Sequence, residues 1–304
     1  MTRIDSFEFG RATTRFGELE FRGGLELDAR DSGFGGFSGL DFDPRTGDLV
    51  AIADTGAWLT LRPIEDDGRL VGVASAAIAP VLNLDGKPVR HKDESDSEAI
   101  RFTRRDGRPV AMVAVEEANQ VRVYDAGTDL SRAVPTLLPL PDEVAHLIAD
   151  KGLETLAIAP TASPLGGATV LVSEGALDSA GNNRAWILDG PLQGAFAVKR
   201  HGRPDATDGV FLANGDLILL ERSFSLANAF GVRIRHIKGA DIKPGATVDG
   251  DVLMEADMRF QIDNMEGLAA KELPDETDFY IISDDNHSIL ERTLLLKFAW
   301  HRPA

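Results

Sequence analysis

The chain of 304 residues contains no cysteine. That absence removes disulfides, thiolate metal sites, iron–sulfur clusters and cysteine nucleophiles together. It leaves the compartment open, because a fold of this size needs no covalent staples. Basic residues are also scarce: 32 Lys and Arg stand against 49 Asp and Glu, a net charge of −17 at pH 7. Such a surplus argues against wrapping nucleic acid or lying on an anionic membrane. No apolar run approaches the ~18 residues that a membrane span requires. The opening MTRIDSFEFG lacks the basic-then-apolar order of a signal peptide. Walker A, GxGxxG, HExxH and GxSxG motifs are all missing. Ser38 sits in Gly-Phe-Ser-Gly without the elbow spacing, and no histidine is placed by sequence to activate it. Helical periodicity is confined to PDEVAHLIADKG (141–152).

What the chain does have is a repeat. Five short apolar runs, DLVAIAD (48–54), PVAMVAVE (109–116), ATVLVSE (168–174), DLILLE (216–221) and DFYIISD (278–284), are each of strand length and each end on a carboxylate. Upstream of them lie SGLDF (38–42), SEAIRF (97–102), LETLAI (153–158), TDGVFL (207–212) and MEGLAA (265–270). Aligning Ser38, Glu98, Glu154, Asp208 and Glu266 gives intervals of 60, 56, 54 and 58 residues. A period of that length with about four strands per unit predicts an all-β fold, a β-propeller of five four-stranded blades in one domain over 1–304. A sixth blade would have to come from the first 37 residues. The last repeat has LLLKFAW (294–300) as its third strand and then ends, so LEFRGGLELDA (19–29) is expected to close the ring.

First strands of propeller blades line the channel, so the aligned positions predict a ring of Ser38, Glu98, Glu154, Asp208 and Glu266. The second-strand ends predict another, Asp54, Glu116, Glu174, Glu221 and Asp284, with Asp285 adjoining. Antiparallel pairing puts both sets at one face. Crowded carboxylates repel unless they are protonated, paired or bound to a cation. Arg222 is the clear basic neighbour, so a cation is favoured, and hard oxygen ligands point to Ca²⁺ or Mg²⁺. Asn119, Asn183, Asn264 and Asn286 are near enough in sequence to add neutral oxygens. DFDPRTGD (41–48) echoes a calcium loop, but Arg45 occupies a ligand position and a β-turn is expected. KDESDSE (92–98) reads as a solvated loop.

These segments carry a resemblance. GGFSGLDFD (35–43), AIADTG (51–56), DSEAI (96–100), KGLETLA (151–157), LILLERSFS (217–225), DNMEGLA (263–269) and IISDDNHS (281–288), followed by RTLLLKF (292–298), resemble the phytase-like family, the bacterial "esterase-like activity of phytase" domain. The resemblance implies a propeller, export to the periplasm or outside, and acids at Asp54, Glu98, Glu116, Glu154, Glu174, Glu221, Glu266, Asp284 and Asp285, with a basic position at Arg222. His287 stands where an aromatic residue is more usual, and Asp208 where a less polar one is.

The resulting expectation is a calcium-dependent hydrolase of a small phosphoester. Glu98, Glu154, Asp208 and Glu266 would hold the metal, with Glu116 and Asp285 beside them. Glu174 or Glu221 would handle the attacking water, Arg222 would hold a substrate oxygen, and Asp54 and Asp284 complete the catalytic set. A metal-dependent lactonase or arylesterase, and a non-catalytic propeller that captures a cation or ligand, are the alternatives.

Overall fold

The computed structural model describes residues 1–89, 96–147, 152–202, 204–225 and 229–302. It is a five-bladed β-propeller. Blade one runs Phe37–Phe42, Leu49–Ala53, Ala57–Asp66 and Arg69–Pro80; blade two runs Ser97–Arg105, Arg108–Val115, Gln120–Asp125 and Thr136–Leu138. Blade three comprises Leu153–Ile158, Thr169–Leu177, Asn183–Ile187 and Gly194–Val198, with Thr247–Val248 added at its outer edge. Blade four comprises Asp205–Phe211, Leu217–Ser225, Ala229–Ile237 and Asp251–Asp257. Blade five takes Asn264–Glu272, Thr277–Asp284 and Thr293–Trp300 from the end of the chain and Leu19–Leu27 from its beginning.

That last pairing closes the ring as expected, with Leu25 opposite Leu295 and Leu19 opposite Trp300. The other strands before residue 37, Thr2–Ile4 and Arg15–Phe16, join the same sheet, so they build no sixth blade. The helical stretch shrinks to one turn, Asp142–Ala145, and its residues 148–151 fall outside the described ones, as do residues 92–95 of the acidic run. No helix among the described residues is long and apolar enough to cross a membrane. The 41–48 segment is a turn, held by Asp43 accepting from the Arg45 backbone at 2.9 Å.

Each seam between neighbouring blades encloses its own apolar cluster. Alternate residues of every middle strand face opposite neighbours: Ile218 and Leu220 pack toward blade five, Leu217 and Leu219 toward blade three. At the centre the five inner strands touch in cyclic order. They approach so closely that a Cβ on Gly39 would lie 2.8 Å from the backbone of Ala99 and Ile100, which a side chain does not tolerate.

Every inner strand also carries a β-bulge at the same place. The register slips between Phe37 and Gly39, Ser97 and Ala99, Leu153 and Thr155, Ala206 and Asp208, and Met265 and Gly267. The extra residues are Ser38, Glu98, Glu154, Thr207 and Glu266. A bulged residue leaves the ladder and its side chain is re-aimed. This device, more than the 57-residue period, positions the site.

Candidate functional site

The bulges correct the blade-four alignment. Thr207, not Asp208, is the equivalent of Glu98, Glu154 and Glu266. The second-strand residues shift with it. Asp54, Glu116, Glu174 and Asp284 follow or pair beside the pre-bulge residue, and the blade-four residue in that register is Arg222, opposite Asp205, not Glu221, opposite Ala206. The rim therefore consists of Ser38, Glu98, Glu154, Thr207 and Glu266 within, and Asp54, Glu116, Glu174, Arg222 and Asp284 around them.

Asp208 and Glu221 serve the scaffold. Asp208 is fully buried in the slot that holds Gly39, Ala99, Thr155 and Gly267 in the other blades. Its carboxylate meets the Arg101 guanidinium at 2.6 Å and accepts from the Leu268 backbone N–H at 2.7 Å. Arg101 crosses the channel and also donates to the carbonyls of Leu40 at 2.9 Å, Gly209 at 2.7 Å, Leu268 at 3.2 Å, and Ile100. Those carbonyls belong to the residues two beyond the bulge in four different blades, so one side chain ties the blades together below the rim. Burial pushes the Asp208 carboxyl up to about 7, against the pull of Arg101. Glu221 points into the seam with blade three and is gripped by Arg235 at 2.6 and 2.8 Å.

The remaining acids do converge. One oxygen from each of Asp96, Glu98 and Glu116 lies within 4.8 Å of the others, and Glu116, Glu154 and Glu174 form a second such group. Asp96, next to the bulge in Asp-Ser-Glu, was not singled out from sequence; its acid neighbours in 92–98 made it look like part of a solvated run. Arg222 sits on the other flank, its Nε 3.0 Å from Glu266 and a terminal nitrogen 3.2 Å from Glu174. Asp284 and Asp54 occupy the sector between blades five and one. Asp285 turns away to organise the loop, accepting from the Gly36 and His287 backbone at 3.1 and 3.0 Å and from Thr293 Oγ1 at 2.8 Å. Asn286 and His287 adopt left-handed backbone conformations in that loop, and the His287 ring lies over Gly36. A Cβ on Gly36 would stand 2.2 Å from Asp54 Oδ1, so glycine is required there.

The electrostatics follow from this crowding. Burial, then the charges of Asp96, Glu266, Glu116 and Asp54, push the Glu98 carboxyl well up. Burial and Glu98 do the same to Glu154. Burial raises Glu266 to about 8 although Arg222 opposes it, and raises Asp284 to about 7. Glu174 is raised less, again by burial against Arg222. Arg222 is correspondingly held as a cation, chiefly by Glu266.

The donor set suits a hard divalent cation: carboxylate oxygens at short mutual range, no sulfur and no imidazole among them. Asn119 and Asn264 add carbonyl oxygens, Oδ1 in each case, that are buried and without a hydrogen-bond partner among the described residues. Of the other two asparagines expected from sequence, Asn183 donates its Nδ2 to the Ser173 and Glu174 carbonyls at 3.0 and 2.6 Å, and Asn286 donates its Nδ2 to Glu291 at 2.7 Å.

The phytase-like family, described as "Esterase-like activity of phytase", matches residues 32–287. The chain belongs to that family. Known structures agree with the fold at remote identity. A thermostable family-43 glycoside hydrolase superposes with a TM-score of 0.51 at 9% identity, over 88% of this chain and 90% of that one. The α-L-arabinofuranosidase PaAbf62A from Podospora anserina gives 0.52 at 9%, over 93% and 97%. No curated protein matches the sequence. Of the acids that the resemblance implied, Glu221 and Asp285 lie off the rim.

Proposed function

We propose that the rim is a calcium-type cation centre and that the chain hydrolyses small ester substrates there, phosphoesters foremost. The observation that carries this reading is the side-by-side placement of two carboxylate groups and Arg222, whose guanidinium is fixed by Glu266 and Glu174. Asp96, Glu98, Glu116, Glu154 and Glu174 would hold the metal. A bound divalent cation supplies Lewis acidity toward the ester or phosphoryl oxygen and offsets the charge of the rim.

The chain's own groups complete the arrangement. Arg222, held beside Glu266 and Glu174, would donate to a substrate oxygen and stabilise charge that develops on it. Asp54 and Asp284, on the opposite flank, are placed to take a proton from water approaching the substrate. The Arg101–Asp208 pair spans the channel beneath the rim. Family membership supports ester chemistry, and scarce cationic side chains at the rim favour one small phosphoryl or acyl group over a densely charged polyphosphate.

The test is a substrate panel of aryl phosphates, phosphodiesters, lactones, aryl esters and aryl arabinosides, with calcium and after chelation. Calcium-dependent turnover of a phosphate ester, lost in Glu154→Gln, is expected. Turnover of carboxylic esters alone would move the assignment to a lactonase or arylesterase. Turnover of the glycosides alone, or none at all with calcium bound, would refute ester hydrolysis.

A further inference from the structure

We infer that His287 and Asp54 work as a pair at the mouth of the channel: the His287 imidazole is the base that takes the proton of the attacking water, and the Asp54 carboxylate steadies the imidazolium so formed. This rests on the ester-hydrolysis reading above and deepens it, by naming an acceptor beyond the carboxylates.

The other described histidines are engaged. His146 meets the Asp142 carbonyl at 2.8 Å, His201 meets Asp249 at 2.7 Å, His236 meets Asp216 at 2.8 Å and His301 meets Glu20 at 3.2 Å. Among the described residues only the His287 ring has no hydrogen bond or ion pair, and it is exposed. Its backbone is nonetheless fixed. Asn286 and His287 have φ of 46° and 49°, a left-handed conformation that residues other than glycine adopt sparingly. Asp285 holds them there, its Oδ1 accepting from the His287 N–H at 3.0 Å and its carbonyl from the Ser288 N–H at 2.7 Å.

The ring is seated on Gly35 and Gly36. A Cβ on Gly36 would lie 2.2 Å from Asp54 Oδ1 and 3.1 Å from His287 Nε2, so carboxylate and imidazole converge on one point. A Cβ on Gly35 would lie 3.0 Å from His287 Nδ1 and 2.7 Å from Asp285 Oδ1. The imidazole therefore lies along the two glycines, one nitrogen toward Asp285 and the other toward Asp54. Gly36 also ties the segments together, its N–H donating to Asp285 at 3.1 Å and its carbonyl accepting from the Asp54 backbone at 2.8 Å. Both partners are thus positioned before substrate arrives.

The charges around the ring suit a base. Asp54 comes from blade one, and Asp284, Asp285 and Glu291 from blade five; Asp284 feels the charges of the other three. Asp31, on the segment entering Gly35, accepts from the Gly33 N–H at 2.9 Å. Arg292, the cation of the loop, is turned onto Gln261 at 3.0 Å, the Ile262 carbonyl at 3.2 Å and Asp263 at 3.4 Å. An imidazolium is stabilised where carboxylates surround it. As the water oxygen bonds to phosphorus or to an acyl carbon, its O–H bond breaks and the proton passes to Nε2. The bond to the leaving oxygen then breaks; that oxygen keeps the electron pair and takes a proton from solvent, and the exposed imidazolium returns its own.

The test uses the calcium-loaded full chain with para-nitrophenyl phosphate and para-nitrophenyl acetate. Asparagine tolerates a left-handed backbone, so His287→Asn preserves the loop. It is expected to lower kcat/KM about 10²-fold while calcium affinity, by isothermal titration, is unchanged. Added imidazole, corrected for its rate without protein, should restore part of the lost turnover, and more basic ring-substituted imidazoles should restore more. Asp54→Asn should cost far less in the His287→Asn background than alone, as for groups that act as a unit. Undiminished turnover by His287→Asn would overturn the pair. So would a loss that imidazole cannot restore, which marks a distorted loop and not a missing base. Either result leaves ester hydrolysis standing. No turnover of any ester by the calcium-loaded wild type would overturn both readings.

Discussion

Arg101 and Asp208 meet at 2.6 Å in the middle of the propeller, and the same guanidinium collects backbone carbonyls from four blades. The pair is a structural bolt below the rim. Removing one member leaves the other buried without its counter-charge, a change that costs about 3–5 kcal/mol. Asp208→Asn is therefore expected to lower the denaturant midpoint markedly while leaving calcium affinity within about twofold. A loss of calcium binding by a variant that still folds would return Asp208 to the ligand set.

The same pair shows how far the sequence could be read. Blade number, strand order and the closing strand were legible, because apolar alternation and turn residues recur with the blade and burial enforces them. So were seven rim acids, since each stands at a strand end where the period lands on it. Blade four misled by one residue. Its Thr-Asp and Glu-Arg dipeptides each offer an acid next to a non-acid, and a period read to within a few residues cannot choose between them. The missing information was the bulge, a backbone slip with no composition of its own. One signal was present: Asp208 occupies a slot that is Gly, Ala, Thr and Gly in the other blades, where a carboxylate needs a buried partner.

Lys297 offers a second test of scaffold against site. It is almost fully buried, with Nζ 2.8 Å from Asp278, 2.9 Å from Glu65 and 2.8 Å from the Gly68 carbonyl, and Tyr280 donates to the same Glu65. Asp278 and Lys297 are on blade five and Glu65 on blade one, so the cluster secures the blade that carries the ring closure. Lys297→Met should cost about 3–5 kcal/mol by leaving Asp278 uncompensated. Asp278→Asn combined with Lys297→Met should recover part of it, as a double-mutant cycle by chemical denaturation would show.

Arg222 distinguishes substrate binding from metal binding. Its contacts to Glu266 and Glu174 restrain it, and removing the charge frees two acids at the rim. Arg222→Met is expected to lower kcat/KM about 10²-fold on phosphate esters, while calcium affinity stays equal or rises because a competing positive charge is gone. Arg222→Lys should rescue little, since a point charge cannot span both carboxylates and a substrate oxygen. Weakened calcium binding in Arg222→Met would assign the arginine to the architecture of the metal centre instead.

The pH dependence follows from acids raised by burial. Glu266 moves from an ordinary 4.5 to about 8 and Asp284 from 3.8 to about 7. Between those limits the metal-free folded chain keeps protons that the unfolded chain has released, so the unfolded state binds fewer protons and stability falls as pH rises. The stabilising contribution is complete below about pH 4 and is lost as pH climbs through 7 to 8. Calcium competes with those protons, so its affinity should increase over the same range. Melting scans from pH 5 to 9 are thus expected to show the metal-free midpoint decreasing toward alkaline pH and the calcium-induced increment growing, with the two curves diverging most above pH 7. Glu266→Gln should flatten the metal-free slope between pH 6 and 8, because it deletes the group that titrates there. Parallel curves with and without calcium across that range would mean that the rim acids neither hold these protons nor exchange them for the cation.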